Sequence, residues 1–580
     1  MNVRHLPFCS TTVLVGVIFA VVVLLPHILQ RMDPLYPFRG IEIMPADQEH
    51  YYAARVREEM DGFSGGANTF YSSPKDQPAL QPALPEWCIA EIARIFGLSA
   101  SSAFVLTKGV LAFFLMLSMV SFFTLATGKK WAALLVATTL LFAGSALHAP
   151  WNLPRFLFSS FSLDALRFAR LVNPLWSSLW FFAALAGVAS WLRERRTWKM
   201  LFVGFCLAMM LYAYVYAWTY LGTALVLLLV WCCFQRDMAR VRDLFVLAVC
   251  IALLGIPYLL NVWALLQHPW YAETAARLGL VHLRTPVFGV WSVVFLLLSP
   301  FANRSWRDTA PLFPILALAG IIVLNQQILT GMFLVPHHYH WYFLQPLASG
   351  MLLLLVFSLL CRLARFPRLL SGAALALSLG SIMFGTVQQA RAYRDMRVLW
   401  GHRQAYAPVL EFLRERTQPG VVVHSTVEGS LAEMVPVYTS ADVYAAGNAN
   451  ASLTPMERAR DTLFFDLWLR GVLPEEAEQR FHSDLRSEVS SRIYAIYYRE
   501  LLGQYTAIPD TLLTEHSRAY ARYFHLSLEE KLSHAPLHFL VVEPNTQPSE
   551  PIATLEMIGT VVFAEGGYRV LSLPAPVSAP

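Results

Sequence analysis

The chain has 580 residues, 56% of them hydrophobic and only 14% charged, with 16 Trp, 38 Phe and a mean hydropathy of +0.48. This composition excludes an ordinary soluble protein and describes one that crosses a membrane many times. The net charge of +5 sits mostly in short loops, so it speaks of membrane topology and not of nucleic acid, and the seven cysteines are too scattered for a disulfide framework.

In chain order, Arg4 and His5 precede an apolar run from Thr11 to Leu29, long enough to span the hydrocarbon core. The run ends Pro26-His-Ile-Leu-Gln-Arg31 without a small-residue cleavage site, so it reads as an uncleaved anchor. Residues 30–101 form a long first outer loop. Further spans are predicted at 103–126, 131–147, 176–192, 199–215, 218–234, 244–266, 287–300, 311–329, 341–361 and 369–388, about eleven in all. The turns that an inside N-terminus would leave in the cytoplasm are short and basic: Lys129-Lys130, Arg193 to Lys199, Arg236 to Arg242, Arg304 to Arg307, and Arg362 to Arg368. An odd number of spans then places the tail outside, together with the first loop. The expected organisation is a polytopic α-helical membrane domain over 1–388 and a soluble outer α/β domain over 389–580. In that tail Val421 to His424 and His538 to Val542 read as strands, and Pro455 to Leu469 and Pro474 to Tyr498 as helices.

The first loop carries the densest chemistry. Pro45-Ala-Asp47-Gln-Glu49-His50-Tyr51-Tyr52 opens a helix pattern that Gly62 ends, with Asp47 suited to cap its N-terminus. The same carboxylate, just outside the membrane beside a His and two Tyr, suits proton transfer. Glu49 is a second candidate base, or a first-turn acid favoured by the helix dipole. Spacings of three and four residues put His50 and Tyr51 on the face of Asp47. His50 would order the carboxylate, join Asp47 around a metal, or serve as a hydrogen-bonded structural residue.

With Asp47-Gln-Glu49-His50-Tyr51 in a large first outer loop, a body of about eleven helices and a soluble tail, the chain resembles the GT-C superfamily of integral-membrane glycosyltransferases, over roughly residues 1 to 400. That class contains protein mannosyltransferases and aminoarabinose transferases. The resemblance implies transfer of a sugar from a polyprenyl-phosphate carrier to an acceptor glycan, lipid or protein on the outer face. It implies Asp47 as general base, with Glu49 competing because the adjacent Asp-Glu pair of some subfamilies is absent. Some members use a divalent cation, so Mg or Mn is a possible cofactor, and a bacterial cytoplasmic (inner) membrane is the expected location.

Such chemistry needs a cation for the departing lipid phosphate. Lys75 is one candidate, otherwise a solvated loop charge. The second outer loop offers Arg155 and Arg170 where the topology rule expects few charges; residues 154–170 read as an interfacial amphipathic helix, whose arginines meet either the carrier phosphate or ordinary anionic lipid. Arg284 and His282 follow as second choices. Tyr212, Tyr214, Tyr216, Trp218 and Tyr220 read as an aromatic belt before sugar stacking. Gln326, between Asn325 and Gln327, suggests a polar cavity opening outward, and His337, His338 and His340 suggest a polar wall, a metal site or an interface anchor. A non-enzymatic transporter or scaffold for envelope polysaccharide is the alternative, or a glycan ligase or polymerase. Transporters bury ionisable groups in repeated halves, whereas these span interiors read as nearly charge-free; ligases and polymerases carry their large loop late, and here it comes first.

Overall fold

The computed structural model describes residues 10–44, 49–63, 68–72, 74–148, 166–278, 280, 282–306, 308–363, 367–427, 430–446, 452–498, 507–532 and 536–574. Each predicted span is mostly helical, but among the described residues eight helices, or nine with one bent pair taken as a single crossing, are long and apolar enough to cross a membrane, against about eleven expected. They begin with α1 (Ser10–Arg31); two helices of the first loop, α2 (Glu49–Met60) and α3 (Leu84–Phe96), lead to α4 (Ala100–Thr127) and α5 (Lys130–His148). Next come α6 (Ser177–Arg193), α7 (Thr197–Leu211) and α8 (Val215–Phe234), so the 199–234 stretch is indeed two helices. A ninth crossing is bent by 49° into α9 (Met238–Leu254) and α10 (Ile256–Gln267). After a short α11 (Tyr271–Arg277) come α12 (Val290–Ser305), α13 (Leu312–Leu324), α14 (Gln345–Leu363) and α15 (Pro367–Arg403). Thr197–Leu211 and Val290–Ala302 are apolar but shorter.

Helix α4 is the centre of the membrane body, packed against α1, α5 and α6. Small residues let it approach closely: Gly109 faces Leu24, and a Cβ there would stand 2.6 Å from the Leu24 Cδ1 atom. Two of the basic turns, 193–199 and 236–242, meet where buried Asp243 accepts from Trp191 Nε1 at 3.1 Å, Arg195 Nε at 3.0 Å and the Thr197 hydroxyl at 3.3 Å. One carboxylate thus satisfies donors from three residues.

The span interiors are not as free of charge as the sequence suggests. Lys108, 4% exposed, lies within α4 and pairs with Glu49 of the first loop at 2.6 Å. A lysine survives there because it has a carboxylate partner, which sequence reading of one span does not reveal.

Helix α15 has 37 residues and runs unbroken through the boundary expected at 388/389. At 1.5 Å per residue it is about 55 Å long, against about 30 Å of hydrocarbon, so its last turns stand clear of the bilayer. Beyond α16 (Ala407–Arg416) lies the outer α/β part: β1 (Val422–Ser425), α17 (Ser430–Tyr438), β2 (Asp442–Val443), α18 (Met456–Leu469), α19 (Pro474–His482), α20 (Arg486–Tyr494), α21 (Asp510–Phe524), β3 (Phe539–Val542), α22 (Glu550–Ile558), β4 (Thr560–Glu565) and β5 (Tyr568–Ser572). Both predicted strands are present, while the helix expected over 474–498 is two helices. The sheet order is β2-β1-β3-β5-β4, with β2, β1 and β3 parallel and β5 antiparallel to both β3 and β4. Strand alternation splits the apolar residues: Val423, Val541 and Val570 join the core shared with the membrane body, while Val422, Leu540 and Leu571 join a second core under α18, α19 and α21.

Candidate functional site

Helix α2 is polar in sequence yet buried over ten of its twelve residues. Burial of so many charges is tolerable only with partners in place, and each has one. Arg55 meets Glu86 of α3 at 3.1 Å and donates to the Gln81 carbonyl at 2.6 Å. Glu49 meets Lys108, and Glu58 meets Lys75 at 3.0 Å. The chain leaves α2 at Gly62, whose φ of +94° suits the glycine expected to end the helix.

Asp47, the residue on which the sequence argument turns, lies outside the described residues, as does Arg155. The flanking chain is well defined. Before Asp47, Glu42 is held by Arg31 and stands 3.4 Å from His27 Nδ1, while its backbone N–H donates to the Tyr438 hydroxyl at 2.9 Å. After it, Glu49 is 2% exposed and committed to Lys108.

His50 and Tyr51 diverge. His50 turns toward the outer domain, stacked on Trp400 at 6.2 Å and 3.6 Å from Glu433 Oε2; burial pushes its ring down to about pKa 3. Tyr51 packs on Phe70 at 6.2 Å and lines a cavity of about 270 Å³. Tyr52, Gln81, Tyr214, Tyr216 and Tyr258 share that cavity. Behind it the Tyr52 hydroxyl accepts from Asn173 Nδ2 at 2.9 Å, and Arg170 donates to the Asn173 carbonyl at 3.1 Å and to the Tyr342 hydroxyl at 3.2 Å. The Tyr214 hydroxyl bonds His338 Nδ1, and the His338 ring packs on Tyr216 at 4.7 Å. Arg170 lies within electrostatic reach of Tyr52, Tyr214 and His338.

Two wide π turns set up this convergence. One, Leu171–Trp176, follows Arg170 and has extended backbone at Asn173 (φ −130°, ψ 115°); the other, His340–Leu344, carries Tyr342. Extra residues in a helical turn re-aim side chains, a device frequent at functional sites. The structure therefore brings together Tyr51, Arg170 and His338 from three outer segments. Tyr52, Asn173, Tyr214, Tyr216 and Tyr342 join them without having been singled out as site residues; aromatic spacing around Tyr214 was the one available signal.

Other sequence candidates have different work. Lys75 is engaged in ion pairs: it bridges Glu58 and, at 2.9 Å, Asp442 of β2, and donates to the Asn68 carbonyl at 3.1 Å. Gln326 closes its own loop, donating to the Met332 carbonyl and accepting from the Thr330 hydroxyl, both at 2.7 Å. Its neighbours Asn325 and Gln327 hold Val287 and Thr285, so these amides fasten a loop and do not open a cavity. Arg284 is exposed beside Gly331, His337 packs on Trp341 at 5.7 Å, and His340 lies against Gly289. The part of 154–170 expected as an amphipathic helix lies mostly outside the described residues. Its end, 166–170, is a turn, where Arg167 donates to the Trp341 carbonyl at 3.2 Å. Among the described residues no three His, Cys, Asp or Glu side chains come together to hold a metal ion.

No family model and no curated protein matches the chain. Among solved structures, ArnT from Cupriavidus metallidurans in the apo state aligns over 99% of this chain and 100% of its own, at 14% identity and a TM-score of 0.46. The apo oligosaccharyltransferase of Archaeoglobus fulgidus aligns over 92% of this chain and 69% of its own, at 11% identity and 0.46. The oligosaccharyltransferase AglB from the same organism, in complex with an inhibitory peptide and a dolichol-phosphate, aligns over 98% and 74%, at 11% identity and 0.42.

Proposed function

We propose that this protein is a GT-C-type glycosyltransferase that moves a sugar from a polyprenyl-phosphate donor to an acceptor on the outer face of a bacterial cytoplasmic membrane. The observation that supports it is a network behind the cavity lined by Tyr51, Tyr52 and Tyr214: the Tyr52 hydroxyl is bonded to Asn173, whose carbonyl accepts from Arg170, and Tyr214 is bonded to His338. The helix that follows the acidic segment and a guanidinium of the kind that holds a lipid phosphate are thus joined through Asn173.

In the proposed reaction an acceptor hydroxyl attacks the anomeric carbon as the bond from that carbon to the carrier-phosphate oxygen breaks. Asp47 receives the hydroxyl proton, and Arg170 offsets the negative charge that grows on the departing phosphate. The base role rests on sequence position and on Glu49 being committed to Lys108. No step runs through a metal. The test is transfer by the purified protein in nanodiscs, supplied with a panel of polyprenyl-phosphate sugars. The expectation is transfer from at least one donor, reduced about 10²–10⁴-fold by Asp47→Asn with the thermal midpoint unchanged. Undiminished transfer by the variant would remove Asp47 as base, and no transfer from any donor would remove the reading itself.

A further inference from the structure

Beside the cavity lined by Tyr51 and Tyr214 lies a larger one, of about 680 Å³, for which the reaction above supplies no occupant. Pro82 and Tyr258 belong to the walls of both. Its volume falls within the range of about 300–1,000 Å³ usual for small-molecule sites. Four segments build it: residues 76–83 of the first loop, the start of α3, Tyr212 after α7, and α10. On α10 the lining residues Pro257, Tyr258, Asn261 and Ala264 recur at helical spacing along one face, while Leu260 and Trp263 of the other face are exposed. The wall is fixed in place. The Asn261 carboxamide holds the Ala79 backbone at both its N–H and its carbonyl, the Leu84 N–H donates to the Tyr212 carbonyl at 3.3 Å, and the Tyr212 hydroxyl donates to the Leu254 carbonyl at 2.5 Å.

Three side chains of this lining are unengaged among the described residues. The Asp76 carboxylate is exposed and has no hydrogen-bond or ion-pair partner, Trp87 is 48% exposed with its indole N–H unpaired, and Gln77 Oε1 has no hydrogen-bond partner. Glu59 adds a second carboxylate, and no Lys, Arg or His lines the space. The smaller cavity has the opposite character: no carboxylate lines it, and Arg170 stands behind it on Asn173.

We infer, on the glycosyl-transfer reading above, that the larger cavity takes the acceptor, and that this acceptor is of the saccharide class and carries no negative charge. Carboxylate and amide oxygens accept from sugar O–H groups, and the C–H face of a sugar packs on an open indole ring. A carrier phosphate meets Asp76 and Glu59 here with no cation to offset them, whereas behind the smaller cavity it meets Arg170. The division of charge thus separates the two substrates, the anion toward Arg170 and the uncharged or cationic acceptor toward Asp76, with Pro82 and Tyr258 common to both walls.

The full-length protein in nanodiscs is titrated, with no donor present, with chitotriose, with its de-N-acetylated cationic counterpart and with anionic trigalacturonate, read by saturation-transfer NMR and isothermal titration calorimetry. Chitotriose or its cationic counterpart binds, and trigalacturonate binds about tenfold more weakly or not at all. Trp87→Ala weakens binding about tenfold and Asp76→Asn narrows the discrimination against trigalacturonate, whereas Glu91→Gln, on α3 outside the lining, changes neither. Both Trp87 and Asp76 are exposed, so their substitution costs little stability. Polyprenyl-phosphate binding, read by native mass spectrometry, is the same in Trp87→Ala as in wild type. Failure of both non-anionic trisaccharides to bind, equal or tighter binding of trigalacturonate, undiminished binding in Trp87→Ala, or loss of polyprenyl-phosphate binding in that variant overturns the assignment. Trisaccharide binding that persists while no donor supports transfer would instead remove the enzymatic reading and leave the saccharide site standing.

Discussion

Helices α2 and α10 are both twelve residues long and both border the same cavity, through Tyr51 and Tyr52 on one side and Tyr258 on the other. Their compositions are opposite. Charged α2 is buried almost throughout, while apolar α10 keeps only Leu265 buried and exposes Leu259, Leu260, Trp263 and Leu266. In water both would be misplaced. In a bilayer, lipid solvates α10, and α2 is held by ion pairs that other segments bring to it. The lesson is that exposed apolar surface here marks lipid contact, and that the chemistry is found where polar residues are enclosed.

The largest expected effect comes from breaking the enclosed side. Arg55→Ala leaves Glu86, fully buried, without its guanidinium, and removing one member of such a pair costs about 3–5 kcal/mol. The expected outcome, read by thermal unfolding in detergent, is a sharply lowered midpoint or loss of folded protein; a midpoint within a degree of wild type would mean α2 does not depend on its ion pairs.

An intermediate effect is expected where the two regions touch. The Asn261 carboxamide of α10 grips the Ala79 backbone twice, accepting from its N–H at 2.9 Å and donating to its carbonyl at 2.8 Å. Asn261→Ala should cost about 1–3 kcal/mol, against less than about 0.5 kcal/mol for Leu260→Ala on the lipid side. Equal losses in the two variants would erase the distinction between a tethered and a solvated face.

The contrast also explains what was legible beforehand. The spans were, because runs of apolar residues about 20 long have few other uses, and so were β1, β3 and the end of α2 at Gly62. The enclosed chemistry was not. Lys75 finds Asp442 across 367 positions, and the Tyr214 hydroxyl finds His338 across 124. A single pass along the chain sees each of these as a loop charge or a belt aromatic, because their partners are set by packing. Arg170 and Tyr51 could be singled out beforehand because their types and positions are unusual by themselves.

The smallest effect belongs to half-covered charge. Asp33, at the outer end of α1, accepts from Arg397 and from the Tyr393 hydroxyl at 2.7 Å, and Arg397 beside it holds its carboxyl well below the usual carboxylate range. A depressed carboxyl contributes stability that is present above its unfolded value, near pH 4, and is lost as pH falls toward the folded one. The thermal midpoint should therefore fall below pH 4 less steeply in Asp33→Asn than in wild type; parallel profiles would show that the pair carries no pH-dependent stability.

In the proposed transfer the lipid phosphate is held by Arg170, which lies behind the cavity beside α2 on Asn173 and Tyr342. The direct measurement is native mass spectrometry of polyprenyl-phosphate binding to wild type, Arg170→Ala and Arg284→Ala at matched thermal stability. At least tenfold weaker binding by Arg170→Ala, with Arg284→Ala like wild type, is the predicted result; binding by Arg170→Ala equal to wild type would contradict it.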